Sequence, residues 1–139
     1  MHMQGEPGTM QVAPRYDDVV AEVRAFLAAR VAACREAGID AARLTVDPGF
    51  GFGKNLEHNL TLLRHLPTLV AHGPPVLVGL SRKATVGKLT GREAGARVHG
   101  SVALAVIAAL KGARIIRAHD VAATVDAMKV VAAVAAREA

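Results

Sequence analysis

Aromatic residues are scarce in this sequence, which has three Phe, one Tyr and no Trp among 139 residues. Proteins that bind single-stranded nucleic acid usually stack bases on aromatic side chains. The scarcity therefore argues against a basic nucleic-acid-binding module, although the formal net charge is +5. A positive charge without aromatic platforms favours small anionic partners such as phosphates and carboxylates, and we expect no nucleic-acid partner.

Cysteine and long apolar runs are also rare. The single cysteine, Cys34, excludes an internal disulfide, and its place in an apolar helical pattern predicts a buried structural thiol. No uninterrupted apolar run reaches the roughly 18 residues that a membrane helix needs, and the N-terminus does not resemble a signal peptide. We therefore expect a cytoplasmic protein with no membrane partner.

Small aliphatic residues dominate the sequence, which is 52% apolar and rich in Ala and Val. This composition excludes a disordered chain. Apolar periodicity predicts helices over 16–37, 55–70, 98–110 and 121–136. Strands are predicted at a stub over 1–4, at 44–46, at 76–80 and from 115, with a polar loop containing Gly87, Gly91 and Gly95 before the third helix. Strict alternation of this kind predicts one α/β domain over 1–139, with a parallel sheet and helices outside it.

Polar side chains follow every predicted strand. They are His2 and Gln4 at the stub, Asp47 after the second strand, Ser81, Arg82 and Lys83 after the third, and Arg117, His119 and Asp120 after the fourth. Ligands of parallel α/β folds bind at the carboxyl edge of the sheet, where the following loops converge. The pattern therefore predicts a charged ligand site at this edge.

The segment DPGFGFGK, residues 47–54, is rich in glycine but matches no phosphate-binding motif. It departs from the P-loop pattern at Pro48 and Asn55, and Lys54 stands where a dinucleotide-binding loop needs its third glycine. The glycines instead predict a flexible loop that approaches a ligand closely, with Phe50 or Phe52 covering a flat ligand. Asp47 is either a ligand-binding carboxylate or a residue that caps a turn.

The cationic residues of the later strands suggest polar recognition. Lys83 at its strand end can donate to a carbonyl or a ring nitrogen. Arg117 and His119 are two residues apart, so an extended backbone projects both to the same side, where two donors suit a diphosphate. The alternative is that these are solvated surface charges. The histidines show no metal-ligand spacing, and we expect no metal ligand within this sequence.

Four segments together resemble dihydropteroate synthases. They are DPGFGFGK at 47–54, VLVGLSRK at 76–83, IIRAHDV at 115–121 and the opening MHMQGEPGTMQ. The resemblance covers essentially the whole chain. The family fold is a (β/α)8 TIM barrel of about 250 residues, so the resemblance implies the C-terminal half of the barrel, from the tail of strand five to helix eight.

The family condenses 6-hydroxymethyl-7,8-dihydropterin diphosphate with para-aminobenzoate, releases diphosphate, and is the target of sulfonamides. The resemblance assigns the amino-pyrimidine edge of the pterin to Asp47, and the pterin carbonyl and ring nitrogen to Lys83. Arg117 is expected to stack on the pterin and to contact the diphosphate together with His119. Lys83, Arg117 and His119 are the expected catalytic residues. The full expected substrate-binding set is Asp47, Phe52, Ser81, Lys83, Arg117 and His119.

The resemblance also implies groups that this sequence does not contain. The family uses Mg²⁺, but the magnesium-associated Asn, further pterin ligands and two mobile loops belong to the first half of the barrel. Ala84 stands where some members carry a hydroxyl that faces the aminobenzoate carboxylate. We therefore expect the chain alone to be inactive and to self-associate, for example as a homodimer.

Two other interpretations remain open. One is a pterin-binding methyltransferase barrel, which shares the pterin but not the diphosphate; the Arg117 and His119 pair favours the diphosphate. The other is a truncated, catalytically inert half-barrel that only assembles with itself or with a missing half.

Overall fold

The computed structural model of the protein describes residues 1–71 and 73–136. These residues form six helices and two short strands. The helices are α1 (Val19–Glu36), α2 (Leu56–Arg64), α3 (Leu66–Val70), α4 (Ala84–Thr90), α5 (Val98–Leu110) and α6 (Val121–Ala135). The strands are β1 (Leu77–Val78) and β2 (Ile115–Ile116), and single 3-10 turns occupy Ala41–Arg43 and Ala94–Ala96.

The strands are parallel and follow one another in chain order. Leu77 lies opposite Ile115. On the other side, Val46 forms a parallel bridge with Val76, and its carbonyl accepts the Leu77 N–H at 2.8 Å. The N–H of His2 donates in turn to the Asp47 carbonyl at 3.0 Å. The predicted parallel α/β arrangement is confirmed, although the pairing at residues 44–46 is shorter than the expected strand.

The core lies between the short sheet and its helices. Val76 and Val78 are fully buried, while Leu77 between them is half-buried. Their alternation is that of a strand whose two faces meet different surroundings. On α1, the face that carries Val19, Val23 and Leu27 packs into the core. Burial of these aliphatic side chains is the main stabilising term.

The helices differ from the sequence-based prediction at two places. The single helix expected over 55–70 is divided at His65, because Pro67 lies in the first turn of α3 and cannot donate a backbone hydrogen bond to continue α2. The polar loop expected before α5 contains α4, which ends at Gly91 with a φ of 68°. Packing outweighs weak local helix propensity in α4, since its Val86 is only 1% exposed.

Cys34 also differs from its prediction, because it is half-buried rather than buried. It lies on α1 near Leu44 and Met1, in a shallow apolar depression at the side of the sheet that residues 1–4 occupy. The predicted structural thiol is therefore more accessible than the apolar pattern around it suggested.

Candidate functional site

The glycine-rich segment, residues 47–54, forms a tight loop at the carboxyl edge of the sheet; we call it the glycine loop. Its first turn is closed by Asp47, whose Oδ1 accepts the N–H of Gly49 at 2.7 Å. Gly49 has a φ of 70°, and a Cβ there would overlap the His2 carbonyl oxygen. Only glycine combines this backbone conformation with so close an approach. The loop is therefore packed directly against the first residues of the chain.

Lys54 holds the glycine loop from inside. It is 3% exposed, and its Nζ donates to the carbonyl oxygens of Gly49 and Phe52, both at 3.0 Å. The third contact of Nζ, at 2.9 Å, is with Nδ1 of His2. The ammonium group thus has three partners, which a buried cation requires.

The pKa values of this pair agree with the contact. Burial, together with the positive charges of Lys54 and the N-terminal amine, lowers the pKa of His2 to about 4. A neutral His2 accepts a hydrogen bond from the Lys54 ammonium group at Nδ1. Burial lowers the pKa of Lys54 to about 8, although Asp47 opposes that shift. No local sequence pattern marks this pair, because only the fold brings residues 52 positions apart together.

Lys83 lies across the glycine loop from Lys54. Its Nζ donates to the Phe50 carbonyl and lies 4.5 Å from the centroid of the Phe52 ring, a distance typical of a cation–π contact. Burial lowers the pKa of Lys83, Asp47 opposes the shift, and Arg117 adds to it. The charges of Asp47 and Arg117 therefore both act on Lys83, and all three residues follow adjacent segments of the parallel sheet.

Ser81, Arg117 and His119 complete the predicted set. The buried Ser81 hydroxyl accepts the backbone N–H of His119 at 3.1 Å and contacts its Nδ1 at the same distance. Arg117 passes over Gly79, where Nε lies 3.5 Å from the position that a Cβ would occupy. Arg117 and His119 thus both lie against residues that follow β1 while remaining exposed to solvent. All six predicted substrate-binding residues lie at the same edge of the sheet.

Two other charged residues of this edge pair with each other. Arg82 donates to Asp120 through Nε at 3.0 Å and through a terminal nitrogen at 2.5 Å. The pair raises the pKa of Arg82 and lowers that of Asp120. A bidentate pair of this kind has strong directional preference. The pair joins the segment that follows β1 to the residue that precedes α6. It therefore positions the segments that carry Lys83 and His119.

A groove of about 450 Å³ opens between the glycine loop and α4; we call it the α4 groove. Phe52 and Lys83 both line it. Ala84, Thr85 and Lys88 contribute the wall that belongs to α4. The volume falls in the range of small-molecule sites.

Within residues 1–71 and 73–136, no group of three or more His, Cys, Asp or Glu is placed to hold a metal ion. The same described ranges contain no helix with the length and apolar character that crossing a membrane requires.

A carboxylate, two cations and an aromatic ring at the carboxyl edge of a parallel sheet are typical of small-molecule-binding proteins of the α/β class. Comparison with known families makes this specific. The family described as pterin binding enzyme matches residues 1–119, and the chain belongs to that family.

Known relatives agree with this assignment. The dihydropteroate synthase of Neisseria meningitidis serogroup C is 58% identical over 131 residues, which are 93% of this chain and 46% of that protein. The crystal structure of the Stenotrophomonas maltophilia dihydropteroate synthase with active site-bound imidazole matches with a TM-score of 0.95 and 54% identity, covering 99% of this chain and 52% of the other. The Xanthomonas albilineans dihydropteroate synthase in complex with 7,8-dihydropteroate matches with a TM-score of 0.90 and 55% identity, covering 99% and 50%.

The comparisons confirm the resemblance to dihydropteroate synthases and place the chain in a TIM-barrel family. The chain spans about half the length of the curated relatives it matches.

Proposed function

We propose that residues 1–139 act as the C-terminal half of a dihydropteroate synthase barrel, from the tail of strand five to helix eight. The observation that carries the proposal is that Asp47, Lys83 and Arg117 follow adjacent parallel segments at one sheet edge, where Lys83 contacts the Phe52 ring. The Xanthomonas albilineans relative in complex with 7,8-dihydropteroate supports it, because that ligand contains both the pterin and the aminobenzoate. The proposed substrates are 6-hydroxymethyl-7,8-dihydropterin diphosphate and para-aminobenzoate.

In this proposal Asp47 and Lys83 bind the pterin ring. The Asp47 carboxylate is half-buried, and one of its oxygens is already held by the Gly49 N–H. That bond leaves the carboxylate oriented to accept N–H groups from the amino-pyrimidine edge. Lys83 donates to the pterin carbonyl and ring nitrogen, exchanging its contact with the Phe50 carbonyl for the ligand. Charge-assisted bonds of this type are worth about 1.5–3 kcal/mol each.

Arg117 and His119 act on the leaving group. The aminobenzoate nitrogen attacks the methylene carbon of the pterin, the bond from that carbon to the diphosphate oxygen breaks, and the amine releases a proton. Negative charge then develops on the departing diphosphate. Fixed donors aimed at developing charge lower the barrier, and the contacts of Arg117 with Gly79 and of His119 with Ser81 support such an orientation.

Further properties of the family are part of the proposal. Magnesium stays a prediction, and the donor groups described in this chain do not fit a metal site, so no step of the reaction is assigned to it. The remaining pterin ligands are expected from the first half of a barrel, and without them we expect no synthase activity. Self-association and a cytoplasmic location also remain predictions.

Pterin binding tests the proposal directly. Asp47→Asn preserves the turn, because the amide oxygen still accepts the Gly49 N–H, but it removes the charge. We expect Asp47→Asn and Lys83→Ala each to weaken binding of 6-hydroxymethylpterin about tenfold or more in titration calorimetry, in line with the value of a charged hydrogen bond. Asp17→Asn, an exposed carboxylate before α1, is the matched control. Unchanged affinity in both site variants contradicts the proposal.

Diphosphate binding separates a synthase from a pterin-binding methyltransferase. If Arg117 holds the diphosphate, Arg117→Ala weakens binding of inorganic diphosphate by about tenfold and affects 6-hydroxymethylpterin less. The same calorimetric titrations measure both ligands. Equal losses for the two ligands favour the methyltransferase interpretation instead.

A further inference from the structure

One wall of the α4 groove carries a cation with no assigned role. Ala84 and Lys88 are four residues apart on α4, so they lie one above the other on the same helix face. Both line the groove, together with Thr85. The face of α4 that meets the groove therefore carries the Ala84 methyl group and the Thr85 hydroxyl in its first turn, and the Lys88 ammonium group one turn later.

Three lysines line this groove, and they differ in the partners they already have. Lys54 uses all three donors on Gly49, Phe52 and His2. The Nζ of Lys83 donates to the Phe50 carbonyl and lies over the Phe52 ring. Lys88 is exposed and, in the described part of the chain, forms neither a hydrogen bond nor an ion pair. It is thus the lysine that can meet a ligand anion without losing an internal contact.

The other groove residues leave this cation without a competing carboxylate. Apart from the three lysines, the described residues that line the groove are uncharged, and the polar ones among them are Gln11, Asn55, Asn59 and Thr85. Two of these are committed to the loop: Gln11 donates to the Gly51 carbonyl, and Asn59 accepts the Gly51 N–H at 2.7 Å. An anion entering the groove therefore meets positive charge at Lys88 and no acidic side chain.

We propose that Lys88 is a specificity-determining residue that binds the carboxylate of an aminobenzoate-class acceptor in the α4 groove; this rests on the proposed function. A para-substituted benzoate carries its amine and its carboxylate at opposite ends of a flat ring. With the amine near Lys83 and the ring beside Phe52, the carboxylate extends along the groove toward the exposed face of α4. Lys88 then supplies the charge that Ala84 cannot.

The test compares 4-aminobenzoate with 4-aminobenzamide, a neutral ligand of nearly the same shape. Dissociation constants are measured by ligand-detected NMR on the full chain in the presence of 6-hydroxymethylpterin. We expect the wild type to prefer the benzoate, and Lys88→Gln to reduce that preference by about threefold or more at low ionic strength, as for a partly exposed ion pair. Lys88→Arg should retain it, and added salt should weaken it in the wild type.

Lys129→Gln is the matched control, because it removes the same charge from α6, where Lys129 pairs with Asp126 at 3.6 Å. Circular dichroism melting curves verify that each variant is folded. An unchanged benzoate preference in Lys88→Gln overturns the proposal, as does a wild type without any preference or without binding of either benzene ligand. Binding of 6-hydroxymethylpterin is recorded separately, and its absence from the wild type counts against the proposed function rather than against Lys88.

Discussion

The contact between Lys54 and His2 shows how two single residues hold the glycine loop. Lys54 would be costly to bury without partners, and the loop carbonyls together with His2 provide them. Because His2 also donates its backbone N–H to Asp47, the same residue connects the loop to the pterin-binding carboxylate that we propose. Disturbing His2 should therefore affect stability and the site together.

Acid should destabilise the protein through His2. The pKa of His2 is about 4 in the folded chain and 6.5 in the reference state, so between these values the unfolded chain binds more protons than the folded one. The contribution of His2 to the free energy of unfolding is therefore fully present above pH 6.5 and is lost as the pH falls toward 4. Urea denaturation at a series of pH values measures it.

The variant His2→Asn should lack this component of the pH dependence. His99→Asn, which removes an exposed histidine at the start of α5, is the control and should keep the wild-type slope. A wild-type slope in His2→Asn between pH 4 and 6.5 would show that His2 titrates normally in the folded chain.

At the scale of elements, the packing of α4 against α5 places Lys83, Ala84 and Lys88 beside the groove. Gly100 of α5 lies directly under Val86, which is fully buried. Arg97 adds hydrogen bonds from one guanidinium nitrogen to the carbonyl oxygens of Arg82 at 2.9 Å and Lys83 at 3.4 Å. A short helix with weak propensity is thus held by contacts from its neighbour rather than by its own sequence.

Gly100→Ala tests this packing. A Cβ at position 100 would lie 2.6 Å from Cγ1 of Val86 and 3.3 Å from Cγ2 of Thr90, so α4 must move. We expect a loss of about 1–2 kcal/mol in the free energy of unfolding, because overpacking costs about 1–3 kcal/mol and improved helix propensity returns up to about 1 kcal/mol. Thermal or urea denaturation measures the change.

Gly95→Ala is the matched control, since a Cβ at that position meets nothing within 4 Å. Its effect should stay within about 0.5 kcal/mol, as for most surface substitutions. A Gly100→Ala variant as stable as Gly95→Ala would mean that α4 is not held by this contact.

At the scale of the whole molecule, apolar surface at the edge of the sheet favours association. Ile115 on β2 is 41% exposed, and in the described part of the chain β2 pairs only with β1. Unpaired strand edges and contiguous apolar patches drive proteins together. In a closed barrel both edges of such a sheet are paired.

We therefore expect the chain alone to form dimers or larger assemblies in size-exclusion chromatography with light scattering. Ile115→Lys places a charge on the strand edge and should shift the distribution toward monomer. Val12→Lys, at a residue 78% exposed and outside the sheet, is the control and should not. A wild-type chain that is monomeric at high concentration contradicts this expectation.

Local patterns were sufficient for much of the fold and for the placement of the predicted site residues at one edge of the sheet. The apolar period of α5 predicted both of its ends, and the run from Ile115 predicted β2, because periodicity and flanking polar residues report directly on such elements. The motifs around Asp47, Lys83 and Arg117 marked candidate site residues, because strand ends and ligand sites coincide in parallel α/β folds. Pro67 also indicates a break in the helix just before it, although the helix predicted over 55–70 is continuous.

The sequence by itself determined the order of helices and strands, the apolar faces and the charged residues at the carboxyl edge, since each follows from neighbours within a few positions. Only the tertiary structure decided that α4 is a helix, because Val86 gains its burial from α5. The tertiary structure also decided that Lys54 is buried against His2 and that Arg82 is paired with Asp120 while Lys88 stays open to the groove. These contacts join segments far apart in the chain, and packing rather than local pattern selects their partners.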